Sequence, residues 1–186
     1  RHPGISLRLD TQCEVVDLQQ DASIDVAIRY SQEGYLDLHG LCLFDERFAV
    51  YGSPQQVALA RQQAPTLISV HWRNSRLYAD GWQAWCAQAG ESWFDDAPLI
   101  RSYDEEQYAL QAAIAGQGLV LASDILVSQS VASGLLQPYR PEVQVDGAGY
   151  SALCVPGRER HPPVRAFLQW LQQESLLAGH PPLARS

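Results

Sequence analysis

The chain has 186 residues, 46% hydrophobic and 18% charged, a globular composition long enough for one ordinary domain or two small lobes sharing a core. Its formal net charge of −8 repels phosphate backbones and makes this segment a poor surface for DNA. No Lys/Arg cluster offsets that balance, because Arg158-Glu159-Arg160 is short and carries its own acid.

No apolar run approaches the ~18–20 residues of a membrane helix, so a soluble protein without membrane contact is expected. Cys13, Cys42, Cys86 and Cys154 show no CxxC or CxxH spacing, so no metal and no other cofactor is expected. Three of them lie in apolar surroundings and read as small buried hydrophobes of a reducing compartment. The opening Arg1-His2-Pro3-Gly4 has neither an initiator Met nor a basic-then-apolar leader, which reads as a removed leader or a fragment.

Ile5 to Leu9 alternates apolar and polar, the period of a half-buried strand. Val15 to Ala22 reads as a short helix, with Val15, Leu18 and Ala22 on one face. Asp25 to Arg29 is a short apolar run, typical of a parallel strand covered on both faces. After a loop to Leu36, Leu41–Phe44 and Arg47–Tyr51 read as two strands, closed by the turn Gly52-Ser53-Pro54.

A helix is predicted from Gln55 to Ala64, ended by Pro65, and Leu67–Val70 is a strand. The next helix starts at Asp80, which forms a capping box with Gln83; Trp82, Trp85, Cys86 and Ala89 share its face, and Gly90 stops it. Pro98–Tyr103 is a strand, and a helix capped by Asp104 runs to Ala115. Gly116-Gln117-Gly118 ends that helix and launches the strand Leu119–Ala122. Asp124 starts a helix that Gly134 terminates, and Leu135–Tyr139 is extended. Tyr150–Val155 is the last strand. His161-Pro162-Pro163 then opens a helix with the stripe Val164, Phe167, Leu168 and Leu171, and residues 179–186 read as an unstructured tail.

Strands alternating with helices predict an α/β fold with mostly parallel sheets. The units are too many and too short for one compact sheet, so two lobes are expected, with the chain crossing near Tyr51–Pro54 and across Pro141–Gly149.

Several blocks, in order, carry a family resemblance. They are His2-Pro3 with Ile5, Val16-Asp17-Leu18, Asp25-Val26-Ala27-Ile28-Arg29 and Val50-Tyr51-Gly52-Ser53-Pro54. A second set is Ala112 to Leu121, Ser133-Gly134-Leu135-Leu136, and Pro163-Val164 to Phe167-Leu168-Gln169-Trp170-Leu171. Singly each is weak; their order over residues 1 to about 175 resembles the effector-binding domain of LysR-type transcriptional regulators, nearest the glycine-cleavage-activator-like branch.

The resemblance implies a two-lobed fold of the periplasmic-binding-protein type 2 class, with a small-molecule effector held between the lobes. Residues 1–52 and 148–178 form lobe I, 53–147 lobe II and 179–186 a flexible tail. It also implies a bacterial, cytoplasmic protein, a homodimer or homotetramer, and DNA contact only through an N-terminal winged helix-turn-helix that this chain lacks. Family members have a further first strand and helix, so lobe I is expected to be incomplete. The helix Val15–Ala22 and the segment Leu119–Val131 are the expected oligomer surfaces.

In open parallel sheets, ligands lie beyond the carboxyl ends of strands. That rule selects Thr11 and Gln12, then Arg29, Tyr30 and Ser31, then His71, Trp72 and Arg73, then Ser102, Tyr103 and Asp104. The family adds Tyr150. Each has a bland alternative: His71-Trp72 packs under a loop, Arg29 anchors one, and Asp104 caps a helix. Arg73 is the charged partner best suited to grip a carboxylate. Asp104, Glu105, Glu106 and Asp124 occupy helix first turns, so the ligand expected carries acidic together with amino or hydroxyl groups, rather than being a simple dianion.

An enzyme is not expected. Gly116-Gln117-Gly118 lies at a helix end rather than in a strand-to-helix turn, no GxSxG or Walker sequence occurs, and His2, His39, His71, His161 and His180 are scattered. The alternative function is a free-standing solute-binding protein of a transporter, which has the same fold.

Overall fold

The structure, a computed structural model, describes residues 4–11, 14–32, 34–71, 81–94 and 99–177. The chain divides into two compact units, Arg1–Asp45 with Ala148–Ser186, and Glu46–Gly147. Two long strands, β2 (His39–Gly52) and β7 (Val145–Cys154), each run from one unit into the other.

In the first unit, β7 lies between β1 (Ala27–Ser31) and β2. β1 and β7 are antiparallel, with Tyr30 opposite Tyr150 and Ser31 opposite Gly149. The 310 turn Arg158–Arg160 leads into α5 (Pro162–Leu177), the last helix. Its Val164 and Leu168 bury against Leu43, Ala152 and Cys154, the apolar stripe that the 3.6-residue period announces. Ser175 is also buried there, its hydroxyl donating to the Leu43 carbonyl.

In the second unit, β2 pairs antiparallel with β5 (Leu119–Ser123) and with β6 (Gln137–Tyr139). β3 (Leu67–Val70) runs parallel to β5 on one side and to β4 (Ile100–Tyr103) on the other. One face is covered by α1 (Pro54–Ala60) and α2 (Gly81–Ala89), around Trp82, Trp85, Trp93, Leu67, Leu119 and Val50. The other is covered by α3 (Glu106–Ile114) and α4 (Asp124–Ala132), around Ile68, Val120, Ala109, Ala113 and Val127.

The expectation of mostly parallel sheets is corrected to a mixed sheet. Of the strand pairs whose register is described, β3 with β4 and with β5 are parallel, and β1–β7, β2–β5 and β2–β6 are antiparallel. The crossing strand β2 enters the second unit opposed to β5, and the hairpin-like return of β6 adds another antiparallel pair. The two strands expected at Leu41–Phe44 and Arg47–Tyr51 are one strand, because the polar Asp45-Glu46 interrupts hydrophobicity but not the backbone ladder.

Two further expectations fail. Val15–Ala22 is a series of turns rather than a helix. Asp17 Oδ1 accepts from the Gln19 amide and Asp21 Oδ1 from the Ser23 amide, both at 2.9 Å, so local side-chain bonds replace the helical ones. Ile5–Leu9 forms no strand, having no ladder partner among the described residues.

Smaller corrections concern caps. α1 ends at Ala60 rather than Ala64, in a turn where Gln62 and Gln63 both donate to the Leu59 carbonyl. Its N-cap is Ser53, whose hydroxyl accepts from the Gln56 amide, and Pro54 occupies the first turn where its missing N–H costs nothing. The cap of α3 is Glu105 rather than Asp104, with no side-chain capping bond. Asp80, Pro98 and the tail 179–186 lie outside the described residues.

Candidate functional site

The strand-end residues fall into two groups, one in each unit. In the first unit the β1–β7 register sets Arg29, Tyr30 and Ser31 beside Tyr150. The rings of Tyr30 and Tyr150 are 4.8 Å apart, and Tyr150 also meets Phe44 at 5.0 Å. The Tyr30 hydroxyl accepts from the Ala148 amide at 2.8 Å, which fixes the ring. Arg29 donates to the Val16 carbonyl and lies 5.4 Å from the Tyr35 ring centre. That geometry is the anchor reading of Arg29: the guanidinium holds the turn segment against β1. Thr11 is exposed, outside any helix or strand, and Gln12 lies outside the described residues.

In the second unit, His71, Ser102, Tyr103 and Asp104 gather at the carboxyl ends of β3 and β4. The His71 amide donates to the Tyr103 carbonyl at 2.7 Å, extending the parallel ladder by one bond. His71, Ser102 and Asp104 are exposed. The Tyr103 hydroxyl donates to Gln117 Oε1 at 3.2 Å, and Arg101 donates to the same oxygen at 2.8 Å. Trp72 and Arg73 lie outside the described residues.

Two residues that the sequence reading did not single out, Glu46 and Ser123, lie on β2 and at the end of β5, where β5 runs into α4. Glu46 is only 4% exposed although it is a carboxylate, and Ser123 is fully buried. Phe48 pairs with Ser123, so the alternation of β2 puts Glu46 on the same face as Ser123. Glu106 is the first residue of α3, and the Ser123 backbone works to lower its pKa. Burial first, and then the Glu46 charge, push Glu106 up to about 7. On the other face burial pushes Tyr51 up to about 12, with Asp124 adding to the shift. The signal for Glu46 was available: it shares its parity along β2 with the buried Phe48 and Val50.

Gly116-Gln117-Gly118 serves the fold. Gly118 has φ 154°, and a Cβ there would stand 2.3 Å from the Thr66 carbonyl oxygen, where the chain meets β3. The same Thr66 oxygen accepts from the Leu119 amide at 2.9 Å, starting β5. Among the described residues no group of three or more His, Cys, Asp or Glu side chains could hold a metal ion, and no helix is long and apolar enough to cross a membrane.

Comparison with known proteins agrees with the family resemblance. The HTH-type transcriptional activator AmpR of Pseudomonas aeruginosa is 31% identical over 174 residues, 92% of this chain and 56% of its own length. The glycine cleavage system transcriptional activator homolog of Haemophilus influenzae is 29% identical over 172 residues, 91% of this chain and 56% of its own. The chain therefore spans about half the length of these relatives, all of them named as transcriptional regulators.

Among solved structures, the effector domain of Pseudomonas aeruginosa AmpR superposes with a TM-score of 0.70 at 24% identity, covering 95% of this chain and 84% of that one. The AmpR effector binding domain from Citrobacter freundii gives 0.72 at 22%, covering 95% and 86%. The fold is that of LysR effector-binding domains, α/β and periplasmic-binding-protein-like of type 2. The LysR substrate binding domain model matches residues 1–175, and this chain belongs to that family.

Proposed function

We propose that this chain is the sensing part of a LysR-type transcriptional regulator. It binds a small-molecule effector, assembles as a homodimer or homotetramer, and governs DNA binding by an N-terminal domain of the intact regulator. The observation that carries this reading is the family match over residues 1–175, in a chain whose relatives are transcriptional regulators rather than transport proteins. Its net charge of −8 fits a part that senses while another part touches DNA. The reading is non-catalytic and places the protein in the cytoplasm, where DNA is.

Each unit is proposed to carry its own ligand contacts, Arg29, Tyr30, Ser31 and Tyr150 in the first and His71, Ser102, Tyr103 and Asp104 in the second, with Thr11, Gln12, Trp72 and Arg73 as further candidates named from the sequence. Tyrosine and serine hydroxyls, the Arg73 guanidinium named from the sequence and nearby carboxylates favour an effector with acidic and amino or hydroxyl groups together. The test is a thermal-shift screen of the full-length protein against amino acids, sugars and organic acids. Stabilisation by amino acids or hydroxy acids is expected. Stabilisation by dicarboxylates alone overturns the ligand class, and no stabilisation by any member counts against effector binding.

A further inference from the structure

We infer that an open pocket of the second unit, beside α1 and the amino ends of β3 and β5, binds the oxyanion end of a small hydroxylated ligand, a carboxylate or a phosphate, through Arg101 and Gln117. It is a second site, separate from the strand-end contacts proposed above, and does not rest on them.

The pocket has a volume of about 450 Å³, room for a metabolite-sized molecule. Thr66 comes just before β3 and Gln117 two residues before β5, so the pocket opens where these parallel strands start. His71 and Asp104 follow the opposite ends of β3 and β4. The polar wall is Arg101, Gln117, Gln56, Gln63 and Thr66, and none of the described lining residues is acidic. In a chain of net charge −8, a pocket with a cation and no acid is set apart for anions.

The charge of Arg101 is uncommitted. The ion pairs of the described residues use Arg8, Arg140, Arg158 and Arg160, and Arg101 enters none of them. Its guanidinium meets a neutral atom instead, Gln117 Oε1 at 2.8 Å, which leaves most of its N–H donors for a ligand. Because an arginine only donates, the end of Gln117 that faces it is the oxygen. The Tyr103 hydroxyl meets the same oxygen at 3.2 Å, and the two contacts fix the side chain with its amide nitrogen as the free, donating end. Two neighbouring donors, one of them charged, suit an oxyanion better than a cation or an apolar group. The amides of Gln56 and Gln63 both donate and accept, and the last turn of α1 presents carbonyls, so hydroxyls on the rest of the ligand find partners. Gln63, Arg101 and Gln117 are exposed, so a ligand enters from solvent.

The test measures the melting temperature of the full-length protein in sodium gluconate and in sodium phosphate, against sodium chloride at equal ionic strength and the same neutral pH. An excess of about 2–4 °C over chloride is expected from at least one of them, at concentrations several-fold above its Kd. A larger excess from gluconate assigns the pocket to a carboxylate, and a larger one from phosphate to a phosphate. Phosphate also stabilises proteins by exclusion from their surface, so the variants decide. Arg101→Gln and Gln117→Glu alter exposed side chains; both melt close to the parent in chloride and lose the excess. Arg165→Gln, which removes another exposed positive charge on the last helix, keeps it. No excess from either salt, an excess that survives in Arg101→Gln, or one lost equally in Arg165→Gln overturns the pocket.

Discussion

At Glu106 a single side chain makes stability depend on pH. Its folded value of about 7 lies above the ordinary 4.5, so the folded chain holds this proton more tightly than the unfolded one does. The stabilisation is complete below the unfolded value and is lost as pH rises through about 7. Glu106→Gln should remove that slope and stabilise the protein at pH 8 by on the order of 2 kcal/mol, measured by urea unfolding at pH 5 and 8. A slope unchanged in the variant contradicts the assignment. Trp85 acts purely through packing: it is fully buried, stacks on Trp93 at 5.8 Å and donates to the Val143 carbonyl at 3.1 Å. Trp85→Ala should cost about 3–5 kcal/mol in the same measurement. Gly118→Ala drives a methyl into the Thr66 backbone oxygen and should cost roughly 1–3 kcal/mol or more.

Among the elements, α1 depends most visibly on its cap. Ser53→Ala removes a 3.4 Å bond to the Gln56 amide, so a loss near the lower end of about 0.5–2 kcal/mol is expected in thermal unfolding. Elements of this kind were legible in the sequence because their determinants are local. Pro54 after Ser53, the Trp82, Trp85, Cys86 and Ala89 stripe, and the Val164–Leu168 spacing each specify a helix from within. The misreadings occurred where pairing or competing bonds decide. Val15–Ala22 has helical spacing, yet Asp17 and Asp21 capture neighbouring amides and Val15 is left 78% exposed. The direction of β2 relative to β5 depends on where the chain returns, which no local period encodes. For the candidate site, the strand-end rule pointed to Tyr30 and Tyr103 and the family resemblance to Tyr150, whose ring the β1–β7 register sets beside Tyr30; the burial of Ser123 follows from the β2–β5 ladder, which no local period encodes.

On the scale of the whole molecule, the acidic balance, the family match and the strand-end polar groups fit one division of labour. In the reading proposed above, this chain binds a small molecule and another part of the regulator reads DNA. If the chain drives assembly, sedimentation of the full-length protein should give a dimer or tetramer, and a monomer would contradict that part. Allosteric control further requires that effector and DNA affinities shift together, since coupling between two sites is reciprocal. The direct measurement is DNase footprinting of the full-length protein on its own promoter region, with and without the compound that stabilises it most. The account predicts a footprint whose extent or midpoint changes with that compound. A footprint identical with and without every stabilising compound, or no DNA binding by the full-length protein, would contradict it.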